Sequence, residues 1–241
     1  MKRWGVFFAC LAWLVRVSAA DPFEEANRSF ETGDYSAAIE GYRGLLSEGL
    51  ESAAVWFNLG NAHFKNGDYG LGIHCYLRAQ RLAPRDPDIR ANLRFARKEV
   101  AGAFAPETVG WEVFFRYLSP REWTWLTALS GCLMFGLLAA RERFAGSRLV
   151  LTWPLRLAAV LAVVSAVACP WAHVVWADQG AAVVVADRLD VRYGPMMDSK
   201  PAYQLKDGEE VRMIGQKDEW RQIRNTSGQV GWVALESLQT L

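Results

Sequence analysis

The sequence predicts a multidomain chain: an α-helical solenoid, then two transmembrane helices, then a small all-β barrel. Three observations carry this. One stretch of the N-terminal third is written twice, 34 residues apart. Two apolar runs near the middle are separated by a short Arg-rich loop. From Ala181 onward, helical spacing gives way to short apolar runs divided by turn signals.

The doubled stretch sets the N-terminal architecture. Asn27, Phe30, Gly33-Asp34-Tyr35, Ile39 and Tyr42 recur as Asn61, Phe64, Gly67-Asp68-Tyr69, Ile73 and Tyr76. A period of 34 is one helix-turn-helix unit, and each unit needs a stacked neighbour to bury its apolar face. Gly33 and Gly67 take the left-handed conformation that ends each first helix. Tyr35 and Tyr69 open the second helices, whose Ala38, Ile39, Tyr42 and Leu45 (or Ile73, Tyr76 and Ala79) fall at helical spacing. Asn58-Leu59 reappears as Asn92-Leu93, so Pro87 to Val100 reads as a third first-helix that caps the stack.

Leu59-Gly60, Tyr69, Tyr76, Ala79 and Pro84 of the second copy resemble a tetratricopeptide repeat, with Gly72 where that family usually has Ala. The resemblance implies a concave groove lined by first helices, on which Asn27, Asn58, Asn61 and Asn92 recur. A carboxamide both donates and accepts, so a row of them suits the backbone of an extended peptide. Two readings stand open: the row binds peptide, or it joins neighbouring helices. In the family's carboxylate-clamp members, Asn at the positions of Asn27 and Asn58 works with Lys at the position of Phe23. This chain has Phe there, so capture of a terminal carboxylate is not implied.

Residues 1–20 read as a signal peptide. Lys2 and Arg3 precede the apolar stretch Trp4 to Val15, and Ser18-Ala19-Ala20 supplies small residues for cleavage. Residues 21–101 form the repeat domain. Residues 102–122 are a linker holding the aromatic, amphipathic Gly110 to Leu118, suited to the headgroup level. Ser119-Pro120-Arg121-Glu122 has N-cap, first-turn Pro and capping-box Glu in order, so a helix starts there. Its uncharged run 123–140 and the second run 149–177 are each long enough to span a bilayer. Loop 141–148 carries Arg141, Arg143 and Arg148, with Arg156 nearby, and the positive-inside rule places it in the cytoplasm. Repeats and C-terminus then share the opposite face, where a cleaved signal also delivers the repeats. Buried core helices of a soluble protein are the competing reading, disfavoured by the short polar join and by Trp123, Trp125, Trp171 and Trp176 at the ends.

In residues 180–241, strands are expected at Ala181–Val185, Glu210–Ile214, Glu219–Arg224 and Gln229–Val233. Leu189-Asp190-Val191-Arg192-Tyr193-Gly194-Pro195, Leu205 to Glu209, Glu219-Trp220 and Gly228 to Val233 resemble a bacterial SH3-type domain. That implies an SH3-like barrel, with Trp220 and Trp232 expected in its core.

Net charge is +1, so no basic excess points to nucleic acid. The four cysteines are scattered and suggest neither a disulfide framework nor a metal site. His63, read as a packing position, His74, read as a surface residue, and His173 have no partner at a catalytic spacing. No enzyme activity and no cofactor are expected. The order of parts and the closing run Arg81 to Leu93 resemble the tetratricopeptide E-type protein of bacterial aerotolerance operons. That resemblance implies a scaffold in the inner membrane, working beside membrane-bound von Willebrand factor A-type proteins and a MoxR-type ATPase. The bilayer lipid is a further expected partner. Peptidoglycan, reached through the barrel, is the alternative one.

Overall fold

The computed structural model describes residues 21–101, 114–115, 117–144, 149–177 and 180–240. The signal-peptide reading and most of the linker reading lie outside the described residues. Seven α-helices, seven strands and one 3₁₀ turn are described.

Helices α1 (Pro22–Glu31), α2 (Tyr35–Ser47), α3 (Ala53–Asn66), α4 (Tyr69–Leu82) and α5 (Pro87–Ala101) stack in chain order. Gly33 (φ 84°) and Gly67 (φ 94°) sit at the left-handed turns, as the period requires. The Asp21, Asp34 and Ser52 side chains cap α1, α2 and α3. Asp68 precedes α4 but makes no side-chain cap bond. Its Oδ2 instead accepts from Asn66 Nδ2 at 2.9 Å and from His63 Nδ1 at 3.0 Å. The core between the first four helices holds Ala38, Tyr42, Leu45, Leu59 and Ala62.

Helices α6 (Pro120–Arg143) and α7 (Thr152–Ala177) form an antiparallel hairpin. Ser119 and Glu122 close a full capping box at the start of α6. Both helices are long and apolar enough to cross a membrane, with mean hydropathy 1.5 and 2.0, and most of their surface faces outward. Trp125 and Trp171 are exposed, whereas Trp123 and Trp176 close the mouth of the hairpin. Their indoles donate to the carbonyls of Phe115 and, for Trp176, Leu118 as well. Along the seam, Ser130 and Ser165 are buried and hydrogen-bonded at 2.9 Å, and Thr127 donates to the Ser165 carbonyl. Such bonds hold membrane helices together where apolar burial gives no net drive.

Strands β1 (Ala181–Val184), β2 (Arg188–Arg192), β3 (Pro201–Lys206), β4 (Glu210–Lys217), β5 (Trp220–Asn225), β6 (Val230–Ala234) and β7 (Leu238–Thr240) follow, with a 3₁₀ turn over Leu235–Ser237. All pairings are antiparallel, in the order β3-β2-β6-β5-β4-β1-β7. Strands β2, β3 and β7 add to the four expected from the sequence, and β2 alternates, with Leu189 and Val191 buried between more exposed neighbours. Val184, Val191, Leu205, Ile223 and Val233 fill the core. Trp220 and Trp232 do not join it, which corrects the sequence expectation. They pair with Ala234 and Gln222, whereas buried Ile223 pairs with Gly231 on the intervening row, and side chains alternate faces along a strand. Both tryptophans are therefore half-buried on the outer side of the sheet.

The barrel packs on the solenoid. Ala182 and Val184 point into the barrel core, and Val183 between them points out, into a cluster with Ile73, Tyr76, Leu77, Leu93 and Ala96 of α4 and α5. Val183 is fully buried there. The barrel thus covers the end of the stack where a further helix would otherwise bury the apolar faces of α4 and α5.

Candidate functional site

The four asparagines fall into two identical clusters, one repeat apart. Asn27 Oδ1 accepts from the Tyr42 hydroxyl at 2.7 Å and from Asn58 Nδ2 at 3.0 Å. Asn61 Oδ1 accepts from the Tyr76 hydroxyl at 2.8 Å and from Asn92 Nδ2 at 2.9 Å. Each ladder joins a first helix to the second helix of its own repeat and to the next first helix. All four asparagines are half-buried. Burial pushes the Tyr42 and Tyr76 phenols up, so both remain protonated donors. A carboxamide oxygen has two lone pairs, and those of Asn27 and Asn61 are both taken. Among the described residues, Asn58 Oδ1, Asn92 Oδ1 and the Nδ2 groups of Asn27 and Asn61 have no protein partner. The next position in the period, Phe95, is about half exposed, with its ring 5.6 Å from that of Phe64. The row is thus amide at two steps and aromatic at the third.

The second feature was not visible in the sequence: a clasp between solenoid and barrel. The Gly70 N–H, in the first turn of α4, donates to Asp207 Oδ2 at 2.8 Å. Asp207 lies in the turn between β3 and β4, and supplies the side-chain acceptor that Asp68 withholds from α4. Burial pushes the Asp207 carboxyl up, partly offset by the bonds from Gly70 and Tyr69. Arg97 of α5 forks onto Glu210 of β4, Nε to Oε1 at 2.6 Å and Nη2 to Oε2 at 2.8 Å. Gly208 (φ 84°) brings the turn against Val100 and Ile73. At the other end of α4, the Arg85 guanidinium pairs with Glu122 and lies over the Tyr117 ring, tying the solenoid to the start of α6.

Residues 53–86 match the tetratricopeptide repeat family, and residues 187–239 match the bacterial SH3 domain family. The chain carries a tetratricopeptide repeat and a bacterial SH3 domain. Both are non-catalytic module families that suggest a role in protein interaction. The match begins at α3, yet α1 and α2 repeat its turn glycine and its Asn–Tyr bond. No curated protein matches the chain.

The histidines divide. His63 is buried, as expected of a packing position. Its pKa is lowered, chiefly by burial, so the neutral ring donates from Nδ1 to the Asp68 carboxylate. His74 is not a surface residue: it is 4% exposed and edge-on to Trp56. Neighbours cover α4 on almost every side, so helical spacing could not single out one outward face. His173 lies within hydrogen-bond reach of Thr124 across the hairpin. Among the described residues, no three His, Cys, Asp or Glu side chains come together as a metal set.

Proposed function

We propose that this protein is a non-catalytic, membrane-anchored adaptor whose repeat and SH3 modules work as one clasped unit on the periplasmic face of a bacterial inner membrane. One observation carries the reading: repeat and barrel are docked on each other, and both lead to the same end of the α6–α7 hairpin. The loop arginines favour a cytoplasmic loop and so a periplasmic unit. The groove side of α1, α3 and α5, with Asn27, Asn58, Asn61, Asn92 and Phe95, is the surface offered to an extended peptide. Its partners are proteins of the envelope, and the resemblance to the aerotolerance E-type protein points to membrane-bound von Willebrand factor A-type proteins. Affinity capture of the full chain from detergent-solubilised membranes tests this. A specific membrane-protein partner whose recovery falls with Asn58→Ala and Asn92→Ala supports it, and recovery of no partner overturns it.

A second reading rests on the barrel's outer face, where half-buried Trp220 and Trp232 stand beside Gln222 and Arg192. That surface suits peptidoglycan, offering rings to sugar faces and a cation to carboxylates. Co-sedimentation of the detergent-purified chain with sacculi, lost in Trp232→Ala, would favour this reading over the adaptor.

A further inference from the structure

The barrel is tied to the hairpin more tightly than a linker would require. The Met213 N–H donates to the Gly180 carbonyl at 2.6 Å, extending the β1–β4 pairing by one residue beyond Ala181↔Arg212. Gly180 lies three residues past Ala177, the last residue of α7. Three residues reach at most about 11 Å, so Met213 cannot stand far above the level at which α7 ends. At the next residue the register with β5 shifts, and Ile214, on the outward side like Arg212, is 39% exposed.

Around it the β4–β5 hairpin has the composition of a membrane-surface element. From Glu210 to Asn225 it carries four cations, Arg212, Lys217, Arg221 and Arg224, against three carboxylates, Glu210, Asp218 and Glu219, and Glu210 is taken up by Arg97. Trp220 opens β5, and exposed Leu235 is fixed beside it by its N–H to the Glu219 carbonyl at 3.0 Å. Arg224 pairs in register with Arg212, which pairs with Ala181, so Arg224 is two strands from the chain leaving α7. Aromatic and branched apolar side chains flanked by Lys and Arg are the residues that settle at a headgroup layer. At physiological salt the field of such cations reaches about 8 Å.

We infer that the β4–β5 hairpin, through Ile214, Trp220, Lys217 and Arg224, seats on the anionic headgroups of the leaflet from which α6 and α7 emerge. The inference rests on the two-span reading. The seat is a second membrane contact, and together with the Arg85 tie it holds the clasped unit at a fixed tilt above the bilayer.

Photocrosslinking of the full chain tests it, in nanodiscs of equal parts phosphatidylcholine and phosphatidylglycerol. Benzoylphenylalanine replaces, one at a time, Ile214, Lys217, Gln204 on the distant β3 strand, and Leu133 in the middle of α6. Lipid adducts are expected at Leu133, Ile214 and Lys217, with several-fold fewer at Gln204. The Ile214 yield should fall several-fold in pure phosphatidylcholine, or when Lys217→Glu and Arg224→Glu are combined. Adducts at Leu133 with an Ile214 yield no higher than that of Gln204 overturn the seat and leave the two spans standing. Absence of adducts at Leu133 overturns the two-span reading and the seat with it. An Ile214 yield indifferent to phosphatidylglycerol and to the double reversal overturns the anionic assignment.

Discussion

The backbone N–H of Gly70 donates to the carboxylate of Asp207, 137 residues away, so the first turn of a repeat helix is capped by another domain. Asp207→Ala should release the barrel and expose the α4 amides, at a cost of about 1–2 kcal/mol as for other lost caps. The charge itself is not what stabilises the clasp. Burial raises the folded pKa of Asp207, so its contribution is complete below the unfolded value near 4 and is lost as pH rises through the folded one. Asp207→Asn keeps an acceptor without a buried charge, and should match or exceed the wild-type melting temperature at pH 7. Thermal melts of the two variants side by side check this.

Gly70 is required for the same contact. A Cβ there would lie 2.2 Å from the Val184 carbonyl oxygen and 2.3 Å from Asp207 Oδ1, and the first is backbone that cannot rotate away. Gly70→Ala should undock the barrel and cost about 1–3 kcal/mol, the usual range for overpacking. Gly72→Ala, two residues on, meets its nearest atoms at 3.3 Å and should cost less. Hydrogen exchange at Ile73 and Leu77 would rise in the first variant and stay near wild type in the second.

Arg97 and Glu210 make the second half of the clasp. Their fork is bidentate and about two-thirds buried, with side chains 26% and 31% exposed. A double-mutant cycle with Arg97→Ala and Glu210→Ala should give a coupling near 1 kcal/mol, at the upper end for pairs open to solvent. The swap Arg97→Glu with Glu210→Arg should recover most of what either single reversal loses.

The helical half was open to reading because its signals are local. Gly33 and Gly67 mark turns by backbone chemistry alone, and Ser119 to Glu122 announce a helix start within four residues. The clasp was not open to reading, because Asp207 looks like an ordinary turn residue and its partner is a backbone N–H. One trace was present all the same. Ala181 to Val184 is continuously apolar rather than alternating, the mark of a strand buried on both faces, and its outer face is the one Val183 sets into the solenoid. Trp220 and Trp232 misled for the converse reason: large aromatic residues suggest a core, and only the register against Gln222 and Ala234 shows which face they take.

The asparagine ladders separate helix joining from ligand binding. Asn61→Ala removes the acceptor of both the buried Tyr76 hydroxyl and Asn92 Nδ2, and should cost about 1–3 kcal/mol. Adding Tyr76→Phe should recover part of that loss, because no buried donor is then stranded. Asn58→Ala removes one donor and leaves the Tyr42 bond to Asn27 in place, so its cost should be smaller. Urea midpoints of the three variants rank these costs.

His74 gives the repeat a defined acid sensitivity. Burial, then the charges of Arg78 and Arg81, and of His63 once it is protonated, lower its pKa to about 4, and among the described residues its Nδ1 has no hydrogen-bond partner. The folded value lies below the unfolded one, so the stabilisation is present above about pH 6.5 and is lost as pH falls toward 4. Over that window the unfolded chain takes up the proton first, and the loss approaches about 3 kcal/mol. His63, also lowered, adds in the same direction, while Asp68, lowered as well, loses its stabilising charge only at the acid end. His74→Phe keeps a ring against Trp56 and removes the titration. Its melting temperature should fall less between pH 6.5 and 4.5 than that of the wild type, and equal falls would place the acid sensitivity elsewhere.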